Sequence, residues 1–218
     1  MKKMMGLLVL LGMVFQMMLP MNTAMAEDLT TIKLGAPEMD KGMSVIQALK
    51  ERKSVRSFTD RQLTLQEVSN LLWAADGISR EDGRRTAPSW ANYQEFDIYV
   101  MRSDGVYVYE PKNQELIPVA AGDYQKYAGT QSYVTTASIN LFFVADLDKI
   151  KAGADENAKL MIANMDVGYI SENVALYSTS VGMASVPRAG MKKEELVQIF
   201  KLRPEQKIIL AHSVGYPQ

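Results

Sequence analysis

The sequence predicts one domain built from both helices and strands, and three patterns carry that prediction. Phe96–Met101 and Val106–Tyr109 alternate apolar and polar residues around the turn signal Ser103-Asp104-Gly105, as a β-hairpin does. Leu141–Ala145 is a continuous apolar run, the pattern of a strand buried on both faces. Leu160, Ala163, Val167, Ile170, Val174, Tyr177 and Val181 recur at steps of three and four, which marks one long helix with a buried stripe. The 218 residues are 47% apolar and 22% charged, with ten Tyr, six Phe and two Trp, enough to fill a sizeable core. That length admits one large domain or two small ones, and the absence of a repeat or dividing linker favours one.

The elements follow in order. Met1–Ala26 has Lys2 and Lys3, an apolar stretch from Met4 to Leu19 and the A-x-A site Ala24-Met25-Ala26, so it is expected to be a cleaved secretory signal. The apolar stretch is short for a membrane span. Loss of its two lysines takes the net charge from −1 to −3, for a mature domain at 27–218. Lys-Lys in place of twin Arg favours export of the unfolded chain, so a cofactor would be acquired outside the cytoplasm. Leu29–Gly42 reads as an extended arm, and Ser44–Arg52 as a helix with Val45, Ile46, Ala48 and Leu49 on its buried side. Thr64-Leu65-Gln66-Glu67 is a capping box opening a helix that runs to about Ala75 and stops at Gly77. Ile78–Tyr93 is a long polar loop with Arg80, Arg84, Arg85, Pro88 and Asn92, a length more often functional than idle. After the hairpin come a short strand at Leu116–Val119, the buried strand at 141–145 and the long helix over 155–181. A further helix at Lys192–Phe200 and a final strand at Lys207–Val214 complete the chain. Along the long helix Gly168, Ser171, Ala175, Ser178 and Gly182 form a stripe of small residues that would admit another backbone or a flat ligand, or serve ordinary helix packing.

Several chemistries are excluded. Without cysteine there are no thiol nucleophiles, disulfides, Fe–S clusters or Cys-type zinc sites, and one histidine, His212, cannot make a multi-His metal centre. The near-zero net charge gives no sign of a nucleic-acid or anionic-membrane binder. A Ser-His-Asp hydrolase would have to use His212, which lies in an apolar strand without a G-x-S-x-G partner, and no G-x-G-x-x-G follows a strand to bind a dinucleotide.

Two segments remain. Arg52-Lys53-Ser54-Val55-Arg56 gathers three cations and a hydroxyl at a helix C-terminus, either a solvated cap or a phosphate clamp. Ala87-Pro88-Ser89-Trp90-Ala91-Asn92-Tyr93-Gln94 presents hydroxyl and amide groups at short spacing, which suit a heterocycle edge or local turn bonding.

R-x-S-x-R, A-P-S-x-x-N-x-Q, D-x-G four residues before E-N, G-M-A-S-V and a terminal G-Y-P, in that order, resemble the nitroreductase family of flavin enzymes. The resemblance is closest to the single-domain branch related to the dehydrogenases of azole-forming peptide clusters, and spans Ser44–Pro217. It implies an α+β fold with a mixed sheet flanked by helices, and a homodimer with one FMN in each of two interface sites. It further implies that Arg52 and Ser54 hold the FMN phosphate and ribityl chain with Lys53 nearby, while Arg56 lies toward the pyrimidine edge. Pro88, Ser89, Asn92 and Gln94 match the loop that reaches the flavin from the other subunit. Asp166 and Gly168 match the start of the helix beside the ring, and Gly182 to Ser185, with Ala184 between, match a turn whose backbone faces it. Many members end in a basic residue that contacts the phosphate; here the final residue is Gln218, and Arg188 is the substitute candidate by position.

On this reading the protein is an exported FMN-dependent oxidoreductase, periplasmic or secreted, working in two half-reactions on a small organic substrate such as a nitroaromatic or quinone. FMN carries the redox chemistry, so no acid–base dyad is needed. NAD(P)H is the donor the resemblance implies, which sits uneasily with export. The alternative is a flavin- or small-molecule-binding protein without turnover, which the missing terminal basic residue would suit.

Overall fold

The structure is a computed structural model and describes residues 29–151 and 155–218. The proposed signal at 1–26 lies outside the described residues. Seven strands form one sheet: β1 (Ile32–Lys33), β2 (Phe96–Met101), β3 (Gly105–Glu110), β4 (Glu115–Ala121), β5 (Ile139–Asp146), β6 (Ala184–Arg188) and β7 (Gln206–Gly215), in the order β1-β4-β3-β2-β5-β7-β6. Four helices accompany it: α1 (Val45–Glu51), α2 (Leu65–Asp76), α3 (Glu156–Ser180) and α4 (Lys193–Phe200). The fold is α+β.

Every ladder in the sheet is antiparallel, so the strands do not form the mixed sheet that the resemblance implied. Chain connectivity explains this in part. The tight turns at Arg102–Gly105 and 111–114 can only return the chain antiparallel.

β5 lies near the middle of the sheet, and its side chains show why it reads as unbroken apolar sequence. Ile139, Leu141, Phe143 and Ala145 enter the core shared with α2 and α3, while Phe142 and Val144 enter a second core under α4. There Phe200 stacks on Tyr99 with ring centroids 4.7 Å apart and meets the edge of Phe142 at 5.1 Å. α2 starts at the expected capping box, Glu67 N–H donating to Thr64 Oγ1 at 3.2 Å and Thr64 N–H to Glu67 Oε2 at 2.8 Å. It ends at Gly77, as expected. α3 buries Ala163, Val167, Ile170 and Val174 of its anticipated stripe. No helix among the described residues is long and apolar enough to cross a membrane.

Two elements depart from expectation. α1 forms under its Ser44 cap, yet only Ala48 is buried; Val45, Ile46 and Leu49 are 67%, 76% and 53% exposed. α1 packs on α3 through one narrow side, and the rest of its apolar surface stays exposed among the described residues. β6 was not foreseen as a strand. It carries Pro187, which the sheet accommodates there because β6 is one of its two edge strands.

Candidate functional site

The cationic segment leaves α1 at Arg52, whose backbone N–H closes the helix on Ala48 O at 2.8 Å. The chain then runs beside the start of β6, tied by Val55 N–H to Ser185 O at 3.0 Å. Arg52, Lys53 and Arg56 are exposed and Ser54 is half-buried. Arg52 Nε approaches Glu172 Oε1 of α3 only to 3.9 Å, a surface pairing that contributes little. Among the described residues no ion pair neutralises Lys53 or Arg56.

Next to this segment the chain turns from α3 into β6 through Gly182, whose φ of +76° favours glycine, with Met183 N–H closing on Ser178 O at 2.8 Å. Ala184 and Ser185 are buried, and their backbone is partly used: Ser185 O accepts from Val55, and both residues pair with β7. The small-residue stripe divides. Ser171, Ala175 and Ser178 are packed inside the chain, whereas Gly168 and Gly182 are exposed, and a Cβ at either would meet nothing within 4 Å. Asp166 and Gly168 lie in the middle of α3, not at its start as the resemblance implied, because Asp155 caps the helix eleven residues before Asp166.

The loop at 78–94 is internally bonded. Arg85 Nη1 donates to Asp76 Oδ2 at 2.5 Å, with both side chains largely buried. Arg85 Nε donates to Gln94 Oε1 at 3.3 Å, and Gln94 Nε2 donates to Gly83 O and Asn92 Oδ1, each at 3.1 Å. Gln94 N–H donates to Ser89 Oγ at 3.0 Å. Gln94 is therefore the hub of the loop, its amide committed to its own chain and not offered outward. Ala91, Asn92 and Gln94 hold left-handed φ values of 49°, 57° and 48°, strain that the bonding sustains. The loop is joined to α3 by Trp90 N–H donating to Asp166 Oδ2 at 2.6 Å. Pro88 and Asn92 stay exposed, and Ser89 and Asn92 line a cavity of about 180 Å³ with Arg80, Arg84 and Arg85 and no carboxylate.

Both expected segments thus converge on α3, the loop at Asp166 and the cations at Glu172, six residues or roughly 9 Å of helix rise apart. Gly168 lies between them. Arg188 does not join this surface. It is 6% exposed, and its guanidinium donates inward to Ser213 Oγ at 3.0 Å, Asn140 Oδ1 at 2.9 Å and Gly190 O at 3.2 Å, with a further bond to Ala128 O. Burial lowers its pKa to about 10. Its alternating position on β6 turns it into the fold, so it replaces no terminal phosphate contact from where it stands.

Sequence reasoning missed a buried carboxyl group. Glu95 is 0% exposed and neither carboxyl oxygen meets a donor, while Asp76 and Asp166 are each 4% exposed nearby. Burial pushes both Glu95 and Asp76 up to about 7, in Asp76 against the pull of Arg85. The only signal was a Glu placed directly before an apolar strand. His212 does have a hydroxyl neighbour, Ser171 Oγ at 2.8 Å from Nε2, but it is fully buried, its Nδ1 is unpartnered and burial lowers it to about 3. Without a carboxylate on Nδ1 or access to solvent, it is a neutral packing group and not a hydrolytic base.

Residues 49–216 match the nitroreductase family. The chain belongs to the nitroreductase family. It is 27% identical over 184 residues to a Methanocaldococcus jannaschii protein named as a nitroreductase, covering 79% of this chain and 91% of that one. It is 21% identical over 187 residues to the FMN reductase (NADPH) of Bacillus subtilis, covering 80% of this chain and 66% of the relative. A crystal structure of a nitroreductase from Ralstonia eutropha superposes with a TM-score of 0.80 at 31% identity, covering 86% of this chain and 90% of that one. The two motif segments on α3 are thus set in a nitroreductase-family oxidoreductase fold.

Proposed function

We propose that this nitroreductase-family protein is an FMN-dependent oxidoreductase that acts as a homodimer on a small organic substrate. The observation that carries the reading is the exposed cationic segment Arg52–Arg56, in which only Arg52 meets a carboxylate among the described residues, and that loosely, set beside the open Gly168 and Gly182 positions. Guanidinium, ammonium and hydroxyl donors of that kind suit a phosphate, and a helix face without a Cβ suits a planar ring. Arg52, Lys53 and Ser54 would hold the phosphate end, and Arg56 would face the ring edge where the reduced cofactor gathers negative charge. FMN, when bound, supplies two-electron chemistry at N5. The protein's own groups bind and orient; none of them has to act as acid or base.

A second copy fits the exposed apolar surface. Val45, Ile46 and Leu49 of α1, Met161, Met165 and Tyr169 of α3, and Trp90 are all large and exposed, more than a monomer ordinarily leaves in water. The resemblance assigns the partner's loop, with its Ser89 and Asn92, to the same flavin. The motif pattern also supports the branch related to azole-forming dehydrogenases, and residues 1–26 support export to the periplasm or medium. NAD(P)H as donor is supported by the name of the Bacillus relative. Anaerobic mixing with NADH or NADPH and a quinone tests the reaction; oxidation no faster than free FMN gives would favour a binding protein without turnover.

A further inference from the structure

Among the described residues no side chain donates to the carboxyl group of Glu95. It sits at the foot of the 88–94 loop, directly before β2, and is fully excluded from water. Beyond its own backbone N–H, the polar side chain it meets across a shared small cavity is another carboxylate, Asp166, which already accepts the Trp90 N–H. Around the pair, α2 contributes Asp76, bound to Arg85 of the loop, β2 contributes Asp97, and the segment after β5 contributes Lys149, which pairs with Asp97 at 3.0 Å. Both nearby cations are therefore already matched with carboxylates, and Glu95 and Asp166 are left facing each other.

Two charged carboxylates in such a place would repel and remain unsolvated. Something must neutralise one of them, and the space limits what it can be. The cavity lined by Asp76, Ser89, Gln94, Glu95 and Asp166 is about 10 Å³, at the lower limit for one water. Among the described residues no carboxylates are grouped so as to hold a metal ion. A proton needs no volume, and it turns the repelling pair into a donor and an acceptor.

We propose that Glu95 and Asp166 share a single proton, and that this proton is the second of two ties holding the Pro88–Gln94 loop to α3. The first tie is the Trp90 N–H on Asp166. Asp166 thus accepts from the loop at one end and from Glu95 at the loop's foot. At alkaline pH the proton passes to bulk water, the two carboxylates repel, and of the two ties to α3 only the Trp90 N–H remains, while Arg85 still holds the base of the loop to Asp76 of α2. Glu95 is a positioning residue: it acts through Asp166 on the segment that presents Ser89 and Asn92. The consequence for flavin rests on the FMN reading, but the proton and the loop do not, so both are tested without flavin.

Trp73→Phe leaves Trp90 as the sole tryptophan and a direct reporter of the loop. Its anisotropy, followed from pH 5.5 to 9 in flavin-free protein, is expected to fall through a transition centred near pH 7 or above. Adding Glu95→Gln, which donates to Asp166 without titrating, should abolish the transition and keep anisotropy high throughout. No transition in the parent, or the same transition with Glu95→Gln, overturns the proposal. If the Gln variant does not fold, ¹³C carboxyl NMR of the unsubstituted protein decides. A shared proton requires Glu95 to titrate at least two pH units above the ordinary glutamate value of about 4.3. Titration of Glu95 near its ordinary value refutes the sharing.

Discussion

Arg85→Met is expected to destabilise the protein by an amount that grows with pH. The Arg85 guanidinium is the only donor on the Asp76 carboxyl among the described residues, at 2.5 Å, and Asp76 is almost wholly buried. Burial raises the folded-state pKa of Asp76 from 3.8 to about 7 even with Arg85 pulling it down. In the parent, the folded protein therefore holds a proton that the unfolded chain has released, so stability falls as pH rises from 3.8 to about 7 and then levels. Without Arg85 the folded pKa rises further, and the decline continues above pH 7 at up to about 1.4 kcal/mol per pH unit. At pH 6 the acid is mostly neutral in either protein, and the loss is about 1.5 kcal/mol, that of a strong hydrogen bond. At pH 8 it reaches roughly 3 kcal/mol, the lower end for breaking a buried ion pair, because the stranded acid can take up a proton. Urea unfolding of parent and variant at pH 6, 7 and 8 measures both. An equal loss at pH 6 and pH 8, or one under about 1 kcal/mol at pH 8, would refute the reasoning.

Three further outcomes are expected. Arg52→Ala should weaken FMN binding by more than about 1.5 kcal/mol, the loss of a charge-assisted bond, read by calorimetric titration; unchanged affinity removes Arg52 from the phosphate site. Ile46→Asp, at an apolar position 76% exposed on α1, should convert a dimer to a monomer without loss of helical content, as read by light scattering and circular dichroism. A dimer that survives the change places the partner elsewhere. Phe200→Ala should cost about 3 to 5 kcal/mol in urea unfolding, since the Phe200 ring of α4 packs on both Tyr99 and Phe142; a loss under about 1 kcal/mol would mean that this core closes over the gap.

Much of the fold was legible because its signals are local. The Thr64 capping box, the Ser103–Gly105 turn and the α3 stripe each involve residues within a few positions of one another, and each formed where expected. What was not legible depended on distant partners. β6 holds a proline and only five residues, and its identity as a strand comes from pairing with β7. Val45, Ile46 and Leu49 have the composition of a buried side, and composition cannot say whether the covering surface lies within the chain. Arg188 shares its residue type with Arg52, yet strand alternation sends one inward and helix termination leaves the other in water. Gln94 follows its motif, but its amide closes the loop on itself. Glu95 gave only its place before an apolar strand, because its significance lies in Asp166, seventy-one positions away.

The central claim is that the cationic segment Arg52–Arg56 and the adjoining open face at Gly168 and Gly182 hold FMN. The most direct measurement is a visible spectrum of the purified protein after incubation with FMN and desalting, followed by denaturation and quantification of the released flavin. One FMN per chain is the predicted result. A folded but colourless protein would contradict the claim, and with it the role assigned to the cationic segment.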